Sequence, residues 1–110
     1  MAARLVVHPG FFRRVRHYRD RIGLQEARPQ TALRFVNAVR DLVPQLQANP
    51  GRGHAARFEA GDLADIRRVA VPSFAVFALF YRWDGQTLAV ITVEHTAQDL
   101  PARLAAVLSV

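Results

Sequence analysis

The chain contains no cysteine, no lysine and no long apolar run. Without cysteine there is no disulfide and no thiolate metal site, which suits a reducing cytoplasm. No stretch approaches the roughly 20 apolar residues of a membrane-spanning helix. The start, MAARLVVHPGFF, lacks the apolar core and cleavage site of a signal peptide. We therefore expect a cytoplasmic protein that does not contact a membrane, with one domain over residues 1–110.

The absence of lysine means that all fifteen basic residues are arginine, and the net charge is +6. The planar guanidinium pairs with carboxylate or phosphate groups. Three kinds of partner therefore fit the charge: nucleic acid, the ribosome or an acidic polypeptide. A GC-rich genome explains arginine-only usage equally well. No cofactor is expected, and no metal, because His8, His17 and His54 lack the spacing of a metal site.

Hydrophobic periodicity predicts a short strand followed by two helices in the first half. Residues 4–7 read as the strand, and Phe11 begins a helical pattern that Gly23 ends. The second helix begins near Pro29 and has one apolar stripe from Ala32 to Leu46. Pro44 predicts a kink or an early end, since proline lacks a backbone donor.

The second half reads as strands and a last helix. Residues 66–71, 74–83 and 87–93 have strand patterns, and Asp84-Gly85 is a hairpin signal. Asp99 is placed to cap a final helix. The expected fold class is α+β, in the order β-α-α-β-β-β-α. The two N-terminal helices pack on one face of a mostly antiparallel sheet, and the other face is left for a partner.

Three segments, in order, resemble the RelE/ParE superfamily of toxins. PQTALRF with the loop NPGRG resembles "P..A..F … NP..G", and IRRVAVPSFAVFALFYRWDG resembles "LRR.PVPGF..Y.IFYR". VITVEHTAQDLPARL is similar to "V.RVLHG.RDLPALL". The resemblance covers nearly the whole chain. It implies a RelE/ParE-like toxin of a bacterial type II toxin–antitoxin system, of the plasmid-stabilisation type, that inhibits growth until a cognate antitoxin neutralises it.

The resemblance leaves two targets. RelE-like members cleave mRNA in the ribosome, whereas ParE-like members poison DNA gyrase. RelE-type ribonucleases carry an arginine in the central strand and another after the last strand. The matching positions here are Ala78 and Gln98. RNA cleavage needs a base, a cation on the phosphate and a proton donor, so these replacements favour a ParE-like poison that is not an enzyme.

Five residues are the candidates for chemistry, should the protein be an enzyme: Arg67, Arg68, Tyr81, Arg82 and His95. Adjacent residues of a strand face opposite ways, so one of the first two arginines lies at the open sheet face. His95 follows Ala89, Ile91 and Val93 in the alternation, and a structural hydrogen bond at the strand end is favoured over an acid/base role.

Contact with the target or the antitoxin is expected from Arg67, Arg68, Phe77 and Arg82. The partners considered are the antitoxin with either DNA gyrase or the ribosome and its mRNA, in a homodimer or a hetero-oligomer with antitoxin. Two alternatives stay open: a ribosome-dependent endoribonuclease with a rearranged site, and an inactive relative that only binds antitoxin. The arginines from Arg13 to Arg21 are interpreted as a solvated helix face, with nucleic-acid contact as the alternative.

Overall fold

A computed structural model describes residues 3–59 and 61–109; residue 60 and both ends of the expected 1–110 domain lie outside the described residues. The strands are β1 (Arg4–Val7), β2 (His54–Ala55), β3 (Arg67–Val71), β4 (Phe74–Trp83) and β5 (Thr87–His95). The helices are α1 (Pro9–Asp20), α2 (Pro29–Ala48) and α3 (Leu100–Leu108). This order confirms the predicted α+β architecture and adds one strand, β2.

The sheet has five strands in the order β1-β5-β4-β3-β2. β1 runs parallel to β5, with Arg4 opposite Thr87, and the remaining pairs are antiparallel. A mostly antiparallel sheet was predicted, and it is confirmed. Because β1 and β2 lie at the edges, the long strands β4 and β5 are internal.

The β4–β5 hairpin begins and turns where the sequence pattern indicates. β4 occupies Phe74–Trp83, the predicted range. At the turn, the Asp84 carboxylate accepts hydrogen bonds from the backbone amides of Gln86 (2.9 Å) and Thr87 (2.7 Å). These amides lower the pKa of Asp84, since they stabilise the charged form. Gly85 adopts a φ of 95°, a conformation that glycine adopts without steric cost.

The first core lies between the sheet and the two N-terminal helices. α1 contributes Phe11 and Tyr18, and the stripe of α2 meets them. The fully buried members of that stripe are Phe35, Leu42 and Leu46. Burying a side chain of this size contributes roughly 1.5–3 kcal/mol each, so this face fixes the position of both helices.

The expectation that the second sheet face is open is wrong. Leu100, Leu104 and Val107 of α3 pack on that face, beside Leu63 and Ile66 from the segment before β3. On the sheet side they cover Ala78, Phe80 and Ile91. The sequence pattern of α3 was recognised, but its apolar side needed a surface to cover, and the sheet provides it.

A β-bulge in β5 changes which residues share a face. Phe80 pairs with Thr92 and Tyr81 pairs with Val90, so Ile91 is the extra residue. His95 therefore shares its side of the strand with Val93 but not with Ala89 and Ile91. The predicted alternation was wrong beyond the bulge, because simple alternation assumes one residue for each pairing position.

Two predicted helix ends also differ. α2 continues through Pro44 to Ala48, so the early end is wrong. Gly23 does not stop the first helix, because a π-helical turn over Arg21–Gln25 includes it. A Cβ at Gly23 would lie 3.2 Å from the Cβ of Ala32, so close packing on α2 explains this glycine. Within the described ranges, no helix is both long and apolar enough to span a bilayer.

Candidate functional site

Arg67 and Tyr81 lie together on the face of the sheet that packs against α1 and α2. They are paired across β3 and β4. The buried Tyr81 hydroxyl donates to the Pro50 carbonyl at 2.8 Å and accepts from the Gly53 amide at 3.0 Å. The Arg67 guanidinium also donates to this hydroxyl, at 3.4 Å, and to the Gly53 carbonyl. The pair therefore anchors the loop after α2 to the sheet.

Arg68 and Arg82 lie on the opposite side of the sheet. The Arg68 guanidinium carbon is 5.6 Å from the centre of the Phe80 ring, within the range of a cation–π contact. Arg82 donates to the Asp65 carboxylate at 3.0 Å and to the Asp62 carbonyl. Both side chains remain partly exposed, so each guanidinium is engaged within the protein but is still accessible.

Phe77 and His95 face each other at the far end of β4 and β5. Phe77 is only 7% exposed, and its ring centre is 4.7 Å from that of Phe35 and 5.2 Å from that of His95. The His95 Nδ1 accepts a hydrogen bond from the Ala97 amide at 3.1 Å. Phe77 thus packs in the core, and His95 makes a strand-end hydrogen bond.

The structure does not bring the candidate residues into one centre. Arg67 is opposite Tyr81 and His95 is opposite Phe77, four residues away along β4. At about 3.3 Å per residue this is roughly 13 Å. Arg68 and Arg82 are separated from both by the sheet. Concerted acid–base chemistry needs its groups within hydrogen-bond reach of one substrate, and this arrangement does not provide it.

The positions of the two ribonuclease arginines are also informative. Ala78 is 1% exposed and belongs to the apolar cluster beneath α3. The Gln98 amide nitrogen donates to the Tyr18 hydroxyl at 2.8 Å and to the Glu94 carboxylate at 3.0 Å. Ala78 therefore lies among apolar side chains with Glu94 opposite it on β5, and Gln98 belongs to the polar network of that glutamate.

That network centres on Glu94, which is fully buried. Its carboxylate accepts from Arg14 on both oxygens, with the shortest distance at 2.8 Å. Tyr18 and Thr92 also donate to it, at 2.8 and 2.6 Å. Burial by itself would lower the pKa of Arg14, but the hydrogen bonds and charge of Glu94 outweigh it and raise that pKa. Sequence reasoning missed this cluster, since a glutamate in an apolar strand was the only local signal.

A second feature missed by the sequence is an apolar groove of about 420 Å³ between β1, α1 and α2. Phe12 lies at its mouth and is 52% exposed. We call it the α1–α2 groove; its apolar walls include Leu5, Phe12, Val15, Val36 and Val43, and its cations are Arg16, Arg19 and Arg40. Phe12 lies outside the apolar face inferred for the first helix, which is the signal that could have revealed it.

Across residues 3–59 and 61–109, no group of three or more histidine, aspartate or glutamate side chains could hold an ion. The polar side chains near Glu94 are hydrogen-bonded to one another, so they form a structural network rather than an open ligand set.

The protein is an α+β domain, with two helices on one face of a mostly antiparallel sheet and a third helix on the other face. The model of the family "ParE toxin of type II toxin–antitoxin system, parDE" matches residues 5–100, and the chain belongs to this family. No curated protein sequence matches the chain.

A solved structure supports the same architecture. The chain is similar to the chromosomal ParDE toxin–antitoxin system from P. aeruginosa, with a TM-score of 0.67 and 16% sequence identity. The match covers 86% of this chain and 96% of that one. At this identity the likeness concerns the fold. The expectation of a RelE/ParE-like toxin fold is confirmed.

Proposed function

We propose that this toxin inhibits bacterial growth in the cytoplasm by poisoning DNA gyrase, without cutting RNA. The observation that carries the proposal is the state of the two ribonuclease positions. Ala78, which stands where the ribonucleases have an arginine, lies in the apolar cluster under α3. The Gln98 amide is held by Glu94 and Tyr18. The separation of Arg67 and Tyr81 from His95 supports the same conclusion. Family membership supports gyrase as the target, because ParE-like toxins are gyrase poisons.

The target is tested with two purified systems. Addition of the toxin to gyrase and relaxed plasmid should reduce supercoiling and accumulate cleaved DNA. Addition to translating ribosomes should give no new cuts in primer extension of the mRNA. Codon-positioned cuts in the ribosomal A site, with normal supercoiling, would replace the proposal by a ribonuclease function.

Activity itself is tested in cells. Induction of the chain alone should lower colony counts, and co-expression of the small neighbouring gene should restore them. Full growth at high expression of folded protein would show an inactive relative that only binds antitoxin.

We further propose that the antitoxin inserts an amphipathic acidic segment into the α1–α2 groove. The groove presents exposed apolar side chains, and three arginines lie along it, of which Arg19 is paired with Asp20 at the surface. This pattern fits a helix or extended segment with an apolar side and carboxylates at its borders. The edge strand β1 continues the apolar surface through Leu5, which is 37% exposed and lines the groove. Arg67, Arg68 and Arg82 have partners inside the protein, so they are the less favoured contacts.

Calorimetry of the toxin–antitoxin complex distinguishes the two surfaces. Phe12→Ser and Arg40→Glu should each weaken binding by at least tenfold, while the exposed Arg34→Glu serves as a matched control on α2. Affinity should fall with salt without vanishing, because apolar burial contributes most and exposed ion pairs contribute about 0–1 kcal/mol each. If Arg67→Ala and Arg68→Ala abolish binding and the groove variants do not, the antitoxin docks on the sheet instead.

A further inference from the structure

The side of α1 that faces α3 carries a cluster of cations. Gly10 lets the two helices approach closely, since a Cβ there would lie 2.7 Å from Cγ1 of Val107. Beside this contact is a cleft of about 280 Å³, which we call the α1–α3 cleft. Its lining residues are Gly10, Arg13, Arg14, Arg103, Ala106 and Val107. Three guanidinium groups therefore border one small cleft.

The positive charge of this cleft is only partly neutralised. Arg14 is paired with Glu94. Arg13 and Arg103 form no ion pair with any residue in the described part of the chain. The nearby Asp99 caps α3, where its carboxylate accepts from the Ala102 amide at 3.3 Å. The cleft therefore keeps two uncompensated guanidinium groups.

Arg103 adds a second, independent observation. Its Nε atom is buried, and no acceptor among the described residues reaches it. Buried donors without an acceptor are rare in native proteins, because each loses its hydrogen bonds to water without replacement. The buried Nε itself is out of reach of a ligand, but an anionic oxygen inside the cleft would meet the guanidinium charges of Arg13 and Arg103 at once.

The potential of the cleft also acts on His17. Partial burial lowers the pKa of this imidazole, and the charges of Arg14, Arg21 and Arg103 lower it further against the opposing charge of Glu94. Arg13, His17 and Arg21 are spaced four residues apart on or just beyond α1, so they lie near one side of the helix. This row, with an arginine cation at each end, rises roughly 12 Å.

We propose that the α1–α3 cleft binds phosphate groups of a duplex DNA backbone, with Arg13 and Arg103 as the principal ligands. Arginine matches the geometry of a phosphate with two parallel hydrogen bonds. The row along α1 spans the rise of about three to four nucleotides, at 3.4 Å per nucleotide in one strand. An acidic peptide is less suited, because the exposed apolar anchors lie in the α1–α2 groove on another side of α1. Contacts of this kind recognise DNA without reading its sequence.

The inference does not depend on gyrase, and its test omits that enzyme. Fluorescence anisotropy of a labelled 20-base-pair duplex would compare the wild type with Arg13→Gln, Arg103→Gln and the control Arg34→Gln. Each variant removes one positive charge. The two cleft variants should bind DNA about tenfold more weakly at low salt, and each should reduce the slope of log K against log[salt] by about 1. The control should change affinity by less than about twofold.

A second arm identifies the source of the phosphate. The imidazole resonances of His17 should shift on titration with the duplex and with inorganic phosphate, and phosphate should compete for the cleft. A shift with inorganic phosphate but no binding of the duplex would overturn the DNA assignment in favour of a small phosphorylated ligand. Competition by polyglutamate as effective as that by DNA would indicate a protein partner. An equal loss of DNA affinity in all three arginine variants would show that only the net charge of the protein matters, and this result would also overturn the proposal.

Discussion

Arg14 and Glu94, eighty positions apart in the sequence, form a bidentate ion pair between α1 and the end of β5. Glu94 is fully buried, while the Arg14 side chain is 16% exposed. Tyr18, Thr92 and Gln98 donate to the same carboxylate. The pair therefore joins the first helix to the last strand through a satisfied polar network.

The first prediction concerns this pair. Arg14→Met should lower the free energy of unfolding by about 3–5 kcal/mol, because it leaves the buried Glu94 charge without its cation. Urea denaturation measures the change. Arg19→Met is the matched control, since Arg19 and Asp20 form an exposed pair with side chains 47% and 50% accessible, and it should change stability by less than about 1 kcal/mol. Equal losses in both variants would contradict a special role for the pair.

The second prediction concerns the loop after α2. A Cβ at Gly53 would lie 2.5 Å from both the Arg68 carbonyl oxygen and the Tyr81 hydroxyl. Gly53→Ala should therefore displace the loop from Tyr81 and destabilise the protein by about 1–3 kcal/mol. At Gly51 the nearest atom is the Asn49 side-chain oxygen at 3.8 Å, so Gly51→Ala should be nearly neutral. Thermal unfolding of the two variants decides, and a neutral Gly53→Ala would show that the loop is loosely held.

The third prediction concerns pH. Partial burial and the cations Arg14, Arg21 and Arg103 lower the pKa of His17 in the folded protein below the unfolded value of 6.5, although Glu94 opposes them in part. As the pH falls, the unfolded chain therefore takes up this proton first, and folding becomes less favourable. The effect is absent well above pH 6.5 and grows as the pH decreases through the folded-state pKa.

Substitution isolates the contribution of His17. His17→Gln should lose less stability than the wild type between about pH 7.5 and about pH 5.5, measured by urea denaturation at both values. A direct titration of the imidazole by NMR should give a pKa below the usual value. Identical pH dependence in the two proteins would mean that the cations do not act on His17 as described.

The fourth prediction separates the two ribonuclease positions. Ala78→Arg places a long charged side chain in the packed cluster beneath α3. Glu94 lies opposite on β5 but is already paired with Arg14, so the change should destabilise the protein by several kcal/mol. Gln98→Arg should fold, because the longer and positively charged arginine side chain would still reach the Glu94 carboxylate. Melting temperatures compare the two variants. A stable Ala78→Arg protein would show that α3 moves aside easily, and it would weaken the case against ribonuclease activity.

Local signals predicted the hairpin and the order of elements. The apolar run from Phe74 to Trp83 and the turn at Asp84-Gly85 contain their own start and end, so these limits agree with the structure. The amphipathic stripe of α2 likewise identified the packed face. These features depend on neighbouring residues, which is why a single sequence reveals them.

The features that the sequence predicted wrongly depend on contacts between distant residues. The bulge at Ile91 reverses the expected side of His95, and no residue type marks it. The position of α3 over Phe80 closes the face that was expected to be open. The candidate site was predicted less well than the fold, since the Glu94 network and the α1–α2 groove each combine residues from separate elements.

The parallel pairing of β1 with β5 has a consequence for folding of the toxin. Arg4 meets Thr87 and Val7 meets Val90, so within the described residues the neighbour of β1 lies more than 80 positions further along the chain. Such distant contacts form late and slow the folding of a small domain. A chain cut before β5 would therefore leave β1 without its neighbour and the two N-terminal helices without a complete sheet to cover.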